Sequence, residues 1–268
     1  MEPQLFRYSC LLVVIVILSH GPTCLAAQNE NYTTCSKSYS CANLQNITYP
    51  FWGGDRPEIC GHPSFGLNCS GDPAIITIET REHRVLSIDY DSYNLVVVAD
   101  EFWNNPCPKD LYNTSLDTAH FNYLSSGYSQ LYLFYGCSSG INVPIPNQWN
   151  CTTNDTTTPS YYLTTNIISS ATCQTSVSVR VNTTAAEGLA QSSPTMNISQ
   201  AIDGGFGLTW NASQSHCSEC ENSAGVCGTN SSGGFACYCS NQTYPIICGD
   251  NSTTIQNGTW PSTLVALL

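Results

Sequence analysis

The chain is short of charge. Of its 268 residues 7 are Lys or Arg and 19 are Asp or Glu, 10% together, against roughly a quarter in ordinary globular proteins. The formal net charge of −12 argues against nucleic acid as a partner, because a phosphate backbone is held by clusters of Lys and Arg. Long apolar runs are also missing. The run from Cys10 to Leu18 falls short of the roughly 20 residues that cross a hydrocarbon core. With Arg7 before it and small residues at Cys24-Leu25-Ala26-Ala27 after it, it reads as a secretory signal peptide over residues 1–26. Leu264 to Leu268 is too short for the hydrophobic tail of a lipid-anchor signal.

Catalytic patterns are absent too. The histidines beyond the signal segment are His62, His83, His120 and His216, and none sits in a serine or cysteine nucleophile motif. Asp203-Gly204-Gly205-Phe206-Gly207 has a kinase-like look, but no lysine strand, catalytic loop or activation segment accompanies it, so it reads as a helix stop. Calcium takes six to eight oxygens; Asp89 and Asp91 share a strand face without a loop that supplies the rest. The expectation is a protein that is not an enzyme, with no cofactor and no metal.

Cysteine is what the chain has in plenty. Sixteen are present; without Cys10 and Cys24, fourteen remain, an even number suited to seven disulfides in an oxidising compartment. Which cysteine pairs with which stays open at this level. Each bond contributes about 2–4 kcal/mol, mainly by restricting the unfolded chain, so reduction is expected to unfold the protein. Cys217-x-x-Cys220 and Cys237-x-Cys239 have zinc-like spacing, but secreted thiols oxidise, and a thioredoxin-like role lacks its βαβ context. Thirteen Asn-x-Ser/Thr acceptors, from Asn31 to Asn257, point to the same secreted setting and to a surface largely covered by sugar.

The pattern along the chain is mainly β. Ala74–Glu79, Arg84–Tyr90 and Tyr93–Ala99 read as short strands, the second with Leu86, Ile88 and Tyr90 on one face and Ser87 and Asp89 on the other. Further on, Gln130–Gly136 and Thr175–Val181 read as strands, the latter with Val177, Val179 and Val181 on one side. One helix is expected, with Ser193 as N-cap, Pro194 at the first helical position, an apolar face of Ile198, Ala201 and Ile202, and Gly204-Gly205 as the stop. Six cysteines from Cys217 to Cys248, interleaved with glycines, resemble a degenerate growth-factor-type knot. The fold class expected is thus mainly β and disulfide-rich: two small cystine-stabilised β modules with at most one or two short helices.

Residues 41–69 contain Ile47-Thr48-Tyr49-Pro50-Phe51, Cys60-Gly61 and Phe65-x-Leu67-x-Cys69, followed by Arg84-Val85-Leu86-x-Ile88 before Cys107. This order resembles the galacturonan-binding module of plant wall-associated receptor kinases. Gly205-Phe206-x-Leu208-x-Trp210, Cys217-x-x-Cys220, Cys227-Gly228 and Phe235-x-Cys237-Tyr238-Cys239 resemble the C-terminal extracellular module of the same kinases. Both modules stand in the order found in leaf-rust-resistance-locus receptor-like kinases. The chain departs from the family's usual Cys-Gly at Cys41-Ala42, and it stops at Leu268, before the membrane helix and serine/threonine kinase of the family. The resemblance implies a signal peptide (1–26), a galacturonan-binding-like module (27–109), a C-terminal-like module with a cysteine-rich end (110–250) and a polar tail (251–268). It implies an extracellular chain, in the apoplast or wall or on the outer face of the plasma membrane, in a secreted or truncated form.

A pectic ligand sets an electrostatic problem, because polygalacturonate and this protein are both anionic and net attraction cannot come from overall charge. Lys37, Arg56, Arg81, Arg84 and Lys109 lie in the first module and Arg180 in the second. Arg81, His83 and Arg84 form the one basic cluster, and an arginine fork suits a uronate carboxylate; alternatively Glu79 and Glu82 pair with these arginines on a solvated face. Arg56 and Trp52, beside Tyr49 and Phe51, offer a sugar-stacking platform, although Tyr49 and Phe51 also suit the core. The candidate ligand-binding residues are therefore Arg81, Arg84, His83, Arg56 and Trp52. The function the resemblance implies is binding of cell-wall polysaccharide, pectin or galacturonan, by a receptor-kinase-type ectodomain in a secreted or truncated form. The alternative is a receptor or decoy for a protein or peptide ligand in plant defence signalling.

Overall fold

The first strands are mostly short, and cysteines, prolines and glycines punctuate the chain between Cys41 and Pro73. A computed structural model describes residues 29–113, 116, 118–138, 147–153, 156–165, 173–191 and 193–249; the signal segment 1–26 and the tail 251–268 lie outside the described residues. Helix α1 (Glu30–Cys35) leads into a two-stranded ribbon, β1 (Tyr39–Cys41) and β2 (Leu44–Ile47). There follow β3 (Trp52–Gly53), β4 (Gly66–Asn68), β5 (Ile75–Ile78), β6 (Arg81–Asp89) and β7 (Asn94–Ala99). These five are consecutive neighbours in one sheet.

The chain then leaves that sheet and builds another. After β8 (Phe121–Tyr123), strands β9 (Tyr128–Cys137), β10 (Gln148–Thr153), β11 (Thr156–Leu163) and β12 (Cys173–Asn182) form a four-stranded antiparallel sheet in the order β10-β11-β9-β12. Helices α2 (Thr183–Ala190) and α3 (Ile198–Asp203) cover it. Only then does β13 (Phe206–Trp210) return to the first sheet, slotting between β7 and β8 and completing seven strands. The last block is helix α4 (Gln214–Asn222) and a three-stranded sheet of β14 (Val226–Thr229), β15 (Phe235–Tyr238) and β16 (Thr243–Tyr244). The architecture among the described residues is mainly β, with four α-helices of six to nine residues.

The expected helix begins four residues later than the sequence indicates. Asn197, not Ser193, is the N-cap: its side chain accepts from the Gln200 N–H at 2.9 Å while Gln200 Oε1 accepts from the Asn197 N–H at 3.0 Å. This reciprocal pair is the stronger start signal, and it outcompetes Pro194. The stop is where the glycines place it. Gly205 has φ +68°, and a Cβ there would stand 2.5 Å from the Val97 carbonyl oxygen, so only glycine lets the chain turn into β13.

Seven disulfides tie up all fourteen cysteines beyond residue 28: Cys35–Cys60, Cys41–Cys69, Cys107–Cys151, Cys137–Cys173, Cys217–Cys227, Cys220–Cys237 and Cys239–Cys248. The bonds fall in three sequential groups, so no bridge links the first module to the last block. That link is made by packing. Tyr49 Oη donates to the Ala212 carbonyl at 2.7 Å, Tyr238 Oη to the Ile59 carbonyl at 3.3 Å, and Thr229 Oγ1 to the Gly61 carbonyl. Cys35 and Cys60 share a small core with Ala236 and Tyr238.

The seven-stranded sheet has a core on each face. Val85, Leu95, Val97, Phe206 and Leu208 face a first core that includes Phe51, Phe65 and Trp210. Val98, with Leu86 packed beside it, faces a second core made with Leu131, Leu133, Val177, Val179 and Leu189. Side chains alternate across a strand, so β6 and β7 serve both.

Candidate functional site

The basic cluster of the sequence is divided by the sheet. Arg81 pairs with Ile78 and His83 with Ile76, both residues of the first core, whereas Arg84 pairs with Val98 of the second. Arg81 and Arg84 therefore leave β6 on opposite faces. The Arg81 guanidinium carbon lies 3.2 Å from the centre of the Tyr112 ring, and Tyr112 is exposed. Arg84 is spent locally: Nε is 2.7 Å from Asp100 Oδ1 and the guanidinium lies 5.7 Å from the Trp103 ring centre.

Two of the five candidates are interior. His83 is 2% exposed, its Nδ1 3.2 Å from the Arg81 carbonyl, and burial lowers its pKa. Arg56 is 4% exposed and donates to the carbonyls of Cys35, Lys37 and Cys60 at 2.9, 2.6 and 3.0 Å. Both therefore lie inside the protein: a guanidinium buried at this depth must find acceptors, and the loop closed by Cys35–Cys60 supplies three. Trp52 is half-buried on the edge strand β3, three places from β6; its Nε1–H donates to the His62 carbonyl at 2.9 Å. Tyr49 and Phe51 are core residues, 8% and 0% exposed.

A feature not singled out in the sequence lies at the other end of β6. A solvent-open pocket of about 210 Å³ is lined by Thr48, Tyr49, Pro50, Tyr90, Tyr93, Trp210, Ala212, Gln214, Cys217, Ser218 and Glu221. Three pieces of chain meet there: the segment between β2 and β3, the β6–β7 hairpin, and the β13–α4 corner. Each is held by its own hydrogen bonds. The Tyr90 hydroxyl accepts from the Thr48 N–H at 3.0 Å, and the Trp210 N–H donates to the Tyr93 carbonyl at 3.0 Å. Gln214 braces the corner, accepting from the Ala212 N–H and donating to the Trp210 carbonyl.

The hairpin presents its tyrosines through a turn made by Asp89, whose carboxylate accepts from the Asp91 N–H and from Ser92; these bonds hold the Asp89 carboxyl below its ordinary pKa. Tyr93 sits at φ +54° and is 43% exposed, a backbone region uncommon for a bulky residue. Edge-on contacts put Tyr90 and Tyr93 5.9 and 6.0 Å from Trp210. The lining holds no lysine or arginine, and one carboxylate, Glu221. Trp210 stands in a motif already legible as Gly205-Phe206-x-Leu208-x-Trp210, but only the fold brings it to Tyr90 and Tyr93.

Both stretches that form the pocket belong to recognised modules. Residues 35–100 match the wall-associated receptor kinase galacturonan-binding family, and residues 145–242 the wall-associated receptor kinase C-terminal family. The chain is an extracellular region of the wall-associated receptor kinase type, and its modules are receptor modules with no catalytic role. It is 32% identical over 255 residues to leaf rust 10 disease-resistance locus receptor-like protein kinase-like 2.1 of Arabidopsis thaliana, covering 90% of this chain and 39% of that protein. The 2.5 and 2.8 proteins of the same plant are 28% and 32% identical over 86% and 82% of this chain, and 37% and 26% of their own lengths. The chain thus spans under two fifths of these relatives. No solved structure matches it significantly. Among the described residues no helix is long and apolar enough to cross a membrane.

Proposed function

We propose that this chain is the ligand-sensing extracellular part of a receptor-kinase-type protein and binds pectic galacturonan of the plant cell wall, either free in the apoplast or at the cell surface. The observation that carries the reading is the galacturonan-binding match over residues 35–100. Within that stretch Arg56 is buried and Arg84 is engaged by Asp100. Arg81, whose guanidinium carbon lies 3.2 Å from the centre of the exposed Tyr112 ring, remains the arginine of that stretch available to a uronate carboxylate, with the aromatic ring stacked against it. The mechanism is recognition without chemistry.

The test is titration of the glycosylated protein with defined oligogalacturonides and a neutral glucan at low and moderate salt, beside Arg81→Ala and Arg84→Ala. Binding that weakens steeply with salt and is lost in Arg81→Ala but kept in Arg84→Ala supports the reading. No binding at low salt, with or without calcium, overturns it in favour of a protein or peptide ligand.

A further inference from the structure

The pocket at the far end of β6 is chemically unlike the Arg81 station. Nine residues separate Arg81 from Tyr90, which at about 3.3 Å per residue places them roughly 30 Å apart along the strand. One sugar ring cannot touch both. At about 210 Å³ the pocket is smaller than the roughly 300–1,000 Å³ of drug-sized ligand sites, which suits one sugar ring rather than an oligomer.

The lining divides into two kinds of surface. Tyr90, Tyr93 and Trp210 supply aromatic faces and edges, which suit the C–H face of a pyranose. Thr48, Ser218 and Glu221, exposed at the rim, supply hydroxyl and carboxylate oxygens, which accept from sugar O–H groups. One donor is unspent: Trp210 is 4% exposed, yet its indole Nε1–H has no acceptor among the described residues. Buried tryptophan N–H groups ordinarily have one. That N–H has under 1 Å² of accessible surface, so an acceptor on a bound sugar reaches it only after the Trp210 ring shifts toward the pocket. With no cation in the lining and a carboxylate at its edge, the pocket disfavours an anion.

We propose that this pocket binds a single uncharged pyranose unit of a wall polysaccharide, either a neutral hexose or a methyl-esterified uronate. The inference rests on the polysaccharide-sensor reading above and adds to it a second station with the opposite charge preference. A polymer carrying both free and esterified units would engage the two ends of β6 together, and the pattern of esterification, not acidity alone, would set affinity.

The experiment compares fully methyl-esterified, unesterified and neutral oligosaccharides of matched length by calorimetry and tryptophan fluorescence on the whole glycosylated chain. Esterified or neutral oligomers are expected to bind and perturb Trp210 emission, which of the two binds identifying the source. Tyr93→Ala is expected to weaken this binding about tenfold, and Glu221→Gln to narrow the gap between esterified and unesterified oligomers. Because Tyr93 has an unusual backbone, Ser218→Trp serves as a second variant that fills the pocket from the exposed face of α4; it should abolish uncharged-ligand binding while leaving the far-ultraviolet spectrum unchanged. Uncharged oligomers that fail to bind, or bind equally well to a correctly folded Ser218→Trp protein, overturn the pocket assignment. If unesterified oligomers still bind through Arg81 in that case, the general reading survives; if no oligosaccharide binds, both fall.

Discussion

The first core draws on residues 41–97, Phe121 and 206–244, whereas the second takes its buried residues from 98–202, with Leu86 of β6 packed against them. One is assembled from two distant stretches of chain; the other is an insertion that folds between them. Its strands are joined through their own neighbours in sequence and its two disulfides, Cys107–Cys151 and Cys137–Cys173, close within it. The aromatic pocket sits only on the assembled side, at the seam where Tyr49, Tyr90 and Tyr93 meet Trp210 and α4. The contrast separates two ways of holding a site: covalent staples fix each block internally, and non-covalent packing and hydrogen bonds bring blocks together. A ligand in the seam therefore contacts the interaction that holds the two modules in place.

The most severe way to break this contrast is to remove staples one region at a time. Cys220→Ala with Cys237→Ala frees α4 from β15 at the base of the seam and is expected to cost about 2–5 kcal/mol, with Trp210 emission shifting toward that of the unfolded protein in chemical denaturation. Removing Cys107–Cys151 by the same pair of changes should destabilise by a similar amount but leave Trp210 emission native in buffer. If the two double variants perturb Trp210 equally, the cores are one cooperative unit.

Arg56 sharpens the comparison at intermediate size. Arg56→Met removes donors to two buried carbonyls, of Cys35 and Cys60, and to the part-buried carbonyl of Lys37, and at about 1–3 kcal/mol for a buried group left unpaired the loss should reach roughly 3 kcal/mol, read as a lowered denaturation midpoint. Oligogalacturonide affinity of the folded fraction should not change. A selective loss of binding with stability intact would return Arg56 to the ligand surface.

Acid gives the smallest effect. Burial lowers the pKa of His83, and that of His62, 4.7 Å from His120, is lowered by burial and by that neighbour. Unfolded histidines titrate near 6.5, so below about that pH the unfolded chain binds protons the folded one does not, and stability falls as pH falls; above it these groups contribute no slope. The melting temperature should drop between pH 7.5 and 5.5, and His83→Gln should make that slope shallower even if it lowers the plateau. An unchanged slope would place the acid response elsewhere.

Much of the fold was legible because period and punctuation agreed. The strands at Arg84–Tyr90, Tyr93–Ala99, Gln130–Gly136 and Thr175–Val181 appear where alternation put them, each lengthened or trimmed by one to three residues at an end. The helices over Thr183–Ala190 and Gln214–Asn222 did not announce themselves, the first because threonines open it, the second because its sequence is polar apart from Cys217 and Cys220. The site was less legible than the fold. Arg81, His83 and Arg84 are neighbours in sequence, and strand alternation alone separates Arg81 from Arg84; the burial of Arg56 depends on carbonyls up to 21 residues away. The pocket required Trp210 beside Tyr93, a contact across more than a hundred residues that no local pattern encodes.

The return of β13 also sets a timetable. When β7 leaves the ribosome, the strand that will cover its open edge lies over a hundred residues downstream, a wait of roughly 5–20 s at about 5–20 residues per second. Throughout that interval the nascent first module carries an unpaired edge, the kind that recruits other chains. Five of the acceptor asparagines, Asn113, Asn150, Asn154, Asn182 and Asn197, fall within the intervening stretch. Sugars attached at these acceptors would shield the half-finished sheet until Phe206–Trp210 arrives, which would give glycosylation a part in folding as well as at the surface.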